Sequence, residues 1–315
     1  MIVRSGARLH LALIDLDGGL GRVDGGVGLA LEEPGVEVKV EKSDTLEAED
    51  GIKPLAEKIL EHYSIPGAKI EIVKAIPDHI GLGSATQLAL AVGTGITRSY
   101  GVDAPTREIA RIVNRGGTSG IGVSVFETGG FVVDGGHNAS EKPGFTPSHF
   151  SGARPGPVLA RYEVPKDWSF VCAAPGLSGA HGEEEKNVFE KHCPLGADEV
   201  AAVSRIVLMN VMPAMAEEDI AAFGSAINRL QETGFKKIEI GLQDPVVKEL
   251  LDFLRARGVG AGMSSFGPLC FGVVEGDAKA EQLRLEVAEF LKQKGFESDV
   301  FVSKAKNSGA EIEDA

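Results

Sequence analysis

The sequence has few of the features that mark secreted, membrane-spanning or nucleic-acid-binding proteins. Its three cysteines, Cys172, Cys193 and Cys270, are far apart and form no CxxC pair, so neither a disulfide framework nor a zinc knuckle is predicted. There is no uninterrupted apolar run of 18 residues, and the N-terminal residues alternate polar and apolar side chains without the apolar stretch of a signal peptide. These absences lead us to expect a cytoplasmic protein with no membrane partner.

The sequence also has fewer positively charged than negatively charged residues. Lys and Arg number 32 against 46 for Asp and Glu, which gives a net charge of -14. A nucleic-acid partner bound on a broad basic face is therefore not expected, and any anionic ligand must be held locally. Glycine, in contrast, is abundant: the 41 glycines are roughly 13% of the chain, against a usual value near 7%. Because they follow no collagen period, they predict several tight turns beside a ligand.

The alternation of strand and helix patterns predicts a mixed α/β or α+β protein with two layers. Strand patterns occur at residues 7–14, 36–41, 69–75, 130–133, 169–174, 269–274 and 299–302. Helical patterns occur at residues 52–63, 84–100, 106–114, 198–216, 220–232, 245–257 and 278–294. The stretch 141–157 holds four prolines and three glycines, as expected for an interdomain connection or a long surface loop. We therefore predict two domains, 1–157 and 158–315.

The most specific local pattern is Pro-Asp-His-Ile-Gly-Leu-Gly-Ser-Ala-Thr-Gln at residues 77–87, between a strand pattern and an apolar helix pattern. Its glycines let the backbone approach an anion, and its hydroxyls and the helix N-terminus supply donors. No Gly-Lys-Ser/Thr follows, so it is not a Walker loop. The prediction is a phosphate-binding loop, and the alternative is a glycine-rich helix entry that binds nothing. The predicted binding residues are Gly81, Leu82, Gly83, Ser84, Ala85, Thr86 and Gln87.

A second glycine cluster, Gly-Val-Gly-Ala-Gly-Met-Ser-Ser-Phe-Gly-Pro, occupies residues 258–268 between a helix and a strand. It is predicted to bring further backbone N–H donors to the same ligand, with a tight connection requiring positive φ as the alternative. The residues assigned to binding are Gly260, Gly262, Met263, Ser264 and Ser265.

In this order and at this separation, the two loops resemble those of the GHMP superfamily of small-molecule kinases. Within it, the chain is most similar to the β-ribofuranosylaminobenzene 5′-phosphate synthase family of methanopterin biosynthesis. That similarity extends over nearly the whole chain, at residues 7–11, 25–28, 81–87, 116–130 and, most specifically, 262–268. It implies a two-domain, GHMP-kinase-like α+β fold.

One departure from the kinase pattern bears on mechanism. Many kinases of this superfamily carry a Ser-Gly-x-Asp segment before a Gly-Gly-Phe strand, and its Asp serves as base or orienter. The corresponding segment here runs from Ser119, a predicted substrate-binding residue, to Gly122, which has no carboxylate. Ordinary phosphoryl transfer to a hydroxyl therefore lacks one of its parts.

The synthase resemblance implies a different reaction, in which 4-aminobenzoate and phosphoribosyl pyrophosphate give an aryl riboside phosphate, carbon dioxide and pyrophosphate. Mg²⁺ is expected with the pyrophosphate, and no redox cofactor is needed. The alternatives are an ATP-dependent small-molecule kinase and a nucleotide-sensing regulatory protein with degenerate catalytic groups. A homodimer is left open.

Four side chains are predicted to be catalytic, and each has a structural alternative. Arg8 binds a carboxylate or phosphate, or is a strand surface charge. His10, on the same strand face, donates to the ligand, acts as an acid, or is packed. The synthase-like stretch at residues 176–185 adds His181 and Glu183, for which a solvated helix start is the alternative.

Asp17 is the predicted metal ligand, and an acidic turn before two glycines is the simpler account. Another four histidines, His62, His137, His149 and His192, show no metal-binding spacing and receive no role.

Overall fold

The computed structural model describes residues 1–314, apart from the side chain of His149, and confirms the predicted α+β class. The strands are β1 (Ile2–Asp15), β2 (Arg22–Lys42), β3 (Leu46–Glu47), β4 (Ala68–Lys74), β5 (Phe131–Asp134), β6 (His137–Asn138), β7 (Val158–Tyr162), β8 (Trp168–Pro175), β9 (Gly260–Met263), β10 (Cys270–Glu275), β11 (Ser298–Ser303) and β12 (Glu311–Glu313). The α-helices are α1 (Lys53–Tyr63), α2 (Ser84–Ser99), α3 (Thr106–Ile112), α4 (Ile121–Thr128), α5 (Glu183–His192), α6 (Ala197–Ile206), α7 (Met212–Ala216), α8 (Ile220–Gln231), α9 (Gly234–Gly241), α10 (Pro245–Arg255) and α11 (Asp277–Gln293).

The first sheet has the strand order β12-β1-β2-β4-β3, with β5 and β6 pairing with β2, and β7 with β5. Helix α2 packs across β1 and β2, and it is buried on most faces, as its apolar pattern predicts. Leu90 and Ile96 of this helix share one core with Val38 and Val40 of β2. Burying each such side chain contributes roughly 1.5–3 kcal/mol, which fixes the helix axis and therefore the position of its N-terminus.

The second sheet is antiparallel, in the order β11-β8-β10-β9, and helices α10 and α11 cover one face. Helix α10 begins with Pro245 after Asp244, whose side chain accepts a hydrogen bond from the backbone N–H of Val246. Leu250 and Leu254, one turn apart, then face the sheet. The helix therefore forms where capping and periodicity agree.

The second glycine cluster is not the continuous loop that the sequence predicts. Gly260–Met263 forms the buried strand β9, and the turn comes only after it. Strand β9 needs Gly260 because a Cβ there would lie 2.3 Å from the Cα of Gly224 on α8. These glycines therefore allow helix and strand to approach closely, which is a packing role.

The sheets divide the chain differently from the predicted line between residues 157 and 158. Strand β7 lies beyond that line but pairs with β5 of the first sheet. The chain crosses to the second sheet between β7 and β8, and its last residues return to the first, where β12 pairs with β1. The proline-rich stretch before β7 consequently lies within the first unit rather than between units.

Three helices, α4, α5 and α9, are not among the predicted helices. Glycines within or beside these segments interrupt the helical spacing of apolar residues. The predicted helix at 198–216 is α6, a π-helical turn at Val207–Val211, and α7. In the described part of the chain this stretch, Ala197–Ala216, is the one segment long and apolar enough to cross a membrane, by length and composition only. Its Val203 and Val211 belong to the main core.

Candidate active site

Two adjoining cavities lie between the N-terminus of α2 and helices α5 and α9. The outer cavity, about 390 Å³, includes the glycine loop before α2. The inner cavity, about 80 Å³, is deeper and includes residues of β1, α4 and α9. The residues that line both cavities are Arg8, Thr86, Ser148, Glu185 and Ser265. The two cavities therefore form one site with an outer and an inner compartment.

The outer compartment has the chemistry of an anion site. Gly83 adopts φ +76° at the N-cap of α2, and no side chain caps that first turn. Gly81, Gly83, Ser84, Ala85 and Thr86 all line this compartment. The positive end of the helix dipole and its N–H groups thus face the cavity.

Arg8 joins the two compartments and holds the glycine loop. Its Nη1 donates to the carbonyl of Gly81 at 3.0 Å, and its backbone N–H donates to the carbonyl of Leu82 at 3.0 Å. Burial lowers the pKa of Arg8 to about 10, and Glu185 and Glu239 oppose that shift, so the group stays charged at neutral pH. Arg115, also on the outer wall, adds a second guanidinium, whose buried Nε has no partner among the described residues.

His10 lies on the wall of the inner compartment with 5% of its surface exposed. Among the described residues neither ring nitrogen has a hydrogen-bond partner. Burial, then Arg8 and Lys236, keep its pKa well below the ordinary value. The imidazole is therefore neutral at pH 7, which suits a hydrogen-bonding role and not the acid role that the sequence allowed.

The second loop reaches the site after β9 ends. Ser264 Oγ donates to the carbonyl of Gly81 at 2.7 Å and accepts from the backbone N–H of His10 at 3.0 Å. Ser265, at φ 51°, lines both compartments. The two glycine-rich segments are therefore in contact, as the sequence predicts.

Glu185, on the first turn of α5, is a site residue that the sequence analysis passed over in favour of Glu183. The Glu183 side chain is 68% exposed and pairs with Lys186 outside both compartments. Burial, and then the charge of Glu239, raise the pKa of Glu185 to about 7. A carboxyl group that is half protonated at neutral pH is a candidate acid or base.

His181 lies at the outer rim, where its ring stacks on His79 with centroids 4.1 Å apart. Its Nδ1 is 3.0 Å from the carbonyl oxygen of Gly179. His181 lines the outer compartment and not the inner one, so the ligand group that it can contact is the anionic one.

Helix α9 brings a buried ion pair to the inner compartment. Lys236 and Glu239 are 2% and 3% exposed, and Lys236 Nζ lies 2.5 Å from Glu239 Oε2. Lys236 also donates to the carbonyl of Ser265 at 2.8 Å. The sequence analysis does not predict this pair, because two charged residues in a segment flanked by glycines are typical of a solvent-exposed surface.

The opposite wall is formed by the segment that enters α4. Ser119 and Gly122 line the inner compartment, and a Cβ on Gly122 would lie 3.0 Å from Thr86 Cγ2. Asp134 holds the segment by accepting from the backbone N–H of Gly120 at 3.0 Å, and burial raises its pKa to about 6.

A buried network behind this wall fixes the proline-rich loop. Asp24 Oδ2 lies 2.6 Å from His137 Nδ1 and 2.9 Å from Lys142 Nζ. His137 Nε2 is 3.1 Å from the carbonyl oxygen of Gly116, and Lys142 also donates to Thr118, which lines the inner compartment. His137 is thus a structural residue of the site.

Several predicted site residues lie outside both compartments. Leu82 is core, Gln87 is fully buried between Ser5 and the Gly122 carbonyl, and Ser264 holds loops together. Others outside the cavity walls are Glu183, Gly260, Gly262 and Met263.

Asp17 also lies away from both compartments, where its Oδ2 accepts from the backbone N–H of Gly19 at 3.0 Å. It caps its own turn, which matches the simpler account.

Comparisons with known proteins identify the family of the chain. Residues 51–130 match the GHMP kinases N terminal domain and residues 211–293 match the GHMP kinases C terminal family. A protein of Archaeoglobus fulgidus named beta-ribofuranosylphenol 5′-phosphate synthase is 44% identical over 99% of both chains. One of the same name from Methanothermobacter thermautotrophicus is 42% identical over 98% of both. The chain belongs to the β-ribofuranosylphenol 5′-phosphate synthase family.

Solved structures place this synthase-family fold among the GHMP kinases. A homoserine kinase from Cytophaga hutchinsonii superposes with a TM-score of 0.71 at 18% identity, covering 99% of this chain and 96% of the other. An L. major mevalonate kinase superposes with a TM-score of 0.68 at 11% identity, covering 97% of this chain and 96% of the other. The predicted two-domain GHMP-type fold is confirmed. The name of the synthase relatives specifies a phenol product, where the sequence analysis expects an aminobenzene.

Proposed function

We propose that this member of the synthase family transfers the ribosyl 5-phosphate of phosphoribosyl pyrophosphate to a para-substituted benzoate with loss of carbon dioxide, a step of methanopterin biosynthesis. One observation carries the proposal: an anion-binding compartment opens directly into a second compartment that is lined by polar side chains and by two phenylalanine rings. Leu13, Phe189 and Phe266 are its apolar lining residues, in a cluster where Phe189 and Phe235 stack 4.8 Å apart. A flat ring suits such a surface.

The proposed reaction needs no redox partner. Departure of pyrophosphate leaves positive charge on the anomeric carbon, and the ring carbon that bears the carboxylate attacks it, forming the C–C bond. The bond to the carboxylate then breaks, its electron pair restores aromaticity, and carbon dioxide leaves. Atoms and charge balance without a net proton.

The residues divide the work by compartment. The first turn of α2, Arg8 and Arg115 bind phosphate groups and stabilise the departing charge. Glu185, at the junction, donates its proton to the leaving pyrophosphate and recovers a proton from that product or from water before the next turnover, so no net proton is consumed. Leu13, Phe189 and Phe266 on the lining of the inner compartment limit the access of water to the ribosyl cation, which water would hydrolyse.

Mg²⁺ is expected to arrive with the pyrophosphate. Within residues 1–314 no three His, Cys, Asp or Glu side chains cluster as metal ligands, and Asp17 is engaged in its turn. The residues therefore do not build a protein-held site, and most ligands of the ion would be phosphate oxygens and water.

The acceptor is 4-aminobenzoate, as expected from the sequence, or 4-hydroxybenzoate, which the phenol in the relatives' name favours. Both carry a para donor that pushes electron density onto the attacking carbon. A para nitro group withdraws it, so 4-nitrobenzoate should give no turnover.

The experiment incubates purified protein with Mg²⁺, phosphoribosyl pyrophosphate and either acceptor labelled in its carboxyl group. Labelled carbon dioxide and pyrophosphate should appear in equal amounts. Label retained in the aromatic product, or pyrophosphate formed without labelled carbon dioxide, would overturn the mechanism. Steady ADP formation from ATP with homoserine, mevalonate or galactose would instead support the kinase alternative, against which the absence of a carboxylate at Gly122 argues. Binding of either substrate set without turnover would support a sensor.

A further inference from the structure

The inner compartment contains one acidic side chain that the proposed chemistry has not used. Glu239 lines this compartment and not the outer one. Among the described residues, Lys236 forms an ion pair with Oε2 of Glu239. The other carboxylate oxygen is left for a ligand. Since the pair is 2–3% exposed, bulk water does not compete for that oxygen.

The proposed function fixes which end of the acceptor reaches Glu239. The ring carbon that bears the carboxylate must contact the anomeric carbon, whose pyrophosphate lies on the α2 side. The para substituent is at the opposite end of the ring and therefore points away from the outer compartment. The polar side chains that line the inner compartment and not the outer one are Glu239, His10, Thr118 and Ser119, and Glu239 is the one carboxylate among them.

We propose, on the basis of that function, that Glu239 is the residue that selects the acceptor, by accepting a hydrogen bond from the para amino or hydroxyl group. Lys236 is its positioning residue, because it holds the carboxylate and the Ser265 carbonyl together. A hydrogen bond from the para N–H or O–H to an anion strengthens electron donation into the ring where the reaction requires it.

Glu239 is a better candidate than His10 for this task. A neutral imidazole accepts through one nitrogen and donates through the other, so it accommodates substituents with or without a hydrogen. A carboxylate paired with lysine only accepts, and it repels an ether oxygen. A site built on Glu239 therefore discriminates against acceptors that lack a para hydrogen.

The test uses two acceptors of nearly equal size, 4-(methylamino)benzoate, which keeps an N–H, and 4-methoxybenzoate, which has none. The ratio of their kcat/KM values is measured for the wild type and for Glu239→Gln. The ratio should fall at least about 10-fold in the variant, since a hydrogen bond to a charged group is lost and the glutamine amide can donate to the ether. Comparing ratios cancels the intrinsic electronic difference between the acceptors.

Lys237→Met, an exposed neighbour on the same helix, is the control and should leave the ratio unchanged. Because Glu239→Gln leaves Lys236 buried without its partner, the double variant Lys236→Met/Glu239→Gln is measured as well. If neither variant folds, wild-type affinities decide: 4-(methylamino)benzoate should bind at least about 10-fold more tightly than 4-methoxybenzoate.

The outcomes separate the two proposals. No product from any acceptor with the wild type rejects the proposed function. The variant His10→Asn is measured in the same way. Turnover by the wild type with an unchanged ratio in folded Glu239→Gln, or with a ratio that changes in His10→Asn and not in Glu239→Gln, rejects the role of Glu239 alone. Equal wild-type affinities for the two acceptors reject it as well.

Discussion

At the scale of single residues, the site depends on charges kept out of water. Burial has the largest effect on the pKa of Glu185 and raises it, as does the like charge of Glu239. The charges of Arg8, Arg115 and His181 act in the opposite direction and lower it. Its proton is therefore retained to about pH 7, whereas a carboxyl group in an unfolded chain releases it near pH 4.3. The folded state binds more protons across this window, so this group makes the protein less stable as pH rises through it.

Glu185→Gln should therefore raise the melting temperature at pH 8 by about 2 °C or more and change it little near pH 4. The same variant should lower kcat by about 100-fold and abolish the loss of activity that we expect of the wild type above pH 7, since glutamine supplies no proton. Thermal unfolding and pH–rate profiles check both effects, with the exposed neighbour Glu184→Gln as control. Identical profiles for Glu185→Gln and wild type would remove Glu185 from the reaction.

At the scale of elements, helix α2 has two ends of similar backbone strain and different surroundings. Gly83 at its start has φ +76°, and a Cβ there would lie 2.8 Å from Arg8 Cγ. Gly101, just past its end, has φ +74°, and a Cβ there would meet nothing within 4 Å. The two positions separate the cost of a left-handed backbone from interference with the anion site.

Gly83→Val should weaken binding of phosphoribosyl pyrophosphate at least about 10-fold, because the side chain displaces Arg8 and crowds the N–H groups of the first turn. Both substitutions should lower the free energy of unfolding by a similar amount, on the order of 1–2 kcal/mol, and Gly101→Val should leave binding unchanged. Calorimetric titration of both folded variants provides the comparison. Equal affinities would exclude this loop from the anion site.

At the scale of the whole molecule, the C-terminal residues pack against the first sheet and against helix α4. Lys304 and Lys306 bond to the β2 backbone, and the Asn307 side chain accepts from the N–H of Val164 and donates to its carbonyl. The N–H of Ala310 donates to the carbonyl of Phe126 on α4, the helix that carries Gly122 to the inner compartment. The site wall is therefore held by residues far along the chain.

Deletion of residues 304–315 should lower the melting temperature by several degrees and reduce activity, because α4 loses this support and β1 loses β12. Deletion of residues 314–315 alone leaves all these bonds in place and is the control. Differential scanning calorimetry and the labelled-substrate assay measure both effects. A shortened chain with the stability and activity of the control would show that α4 is held without its C-terminal partner.

The sequence by itself determined the α+β class, the family, the helix that begins at Ser84 and the contact between two glycine-rich segments, because periodicity, glycine spacing and local motifs are encoded in neighbouring residues. It also determined that Gly122 supplies no carboxylate. Only the tertiary structure decided that Glu185 and not Glu183 lies at the site, that Gly260 belongs to a packed strand, and that Lys236 and Glu239 are buried. Helices α2, α5 and α9 and strand β1 meet there from distant parts of the chain, and burial, which depends on those contacts, sets the charge of each group.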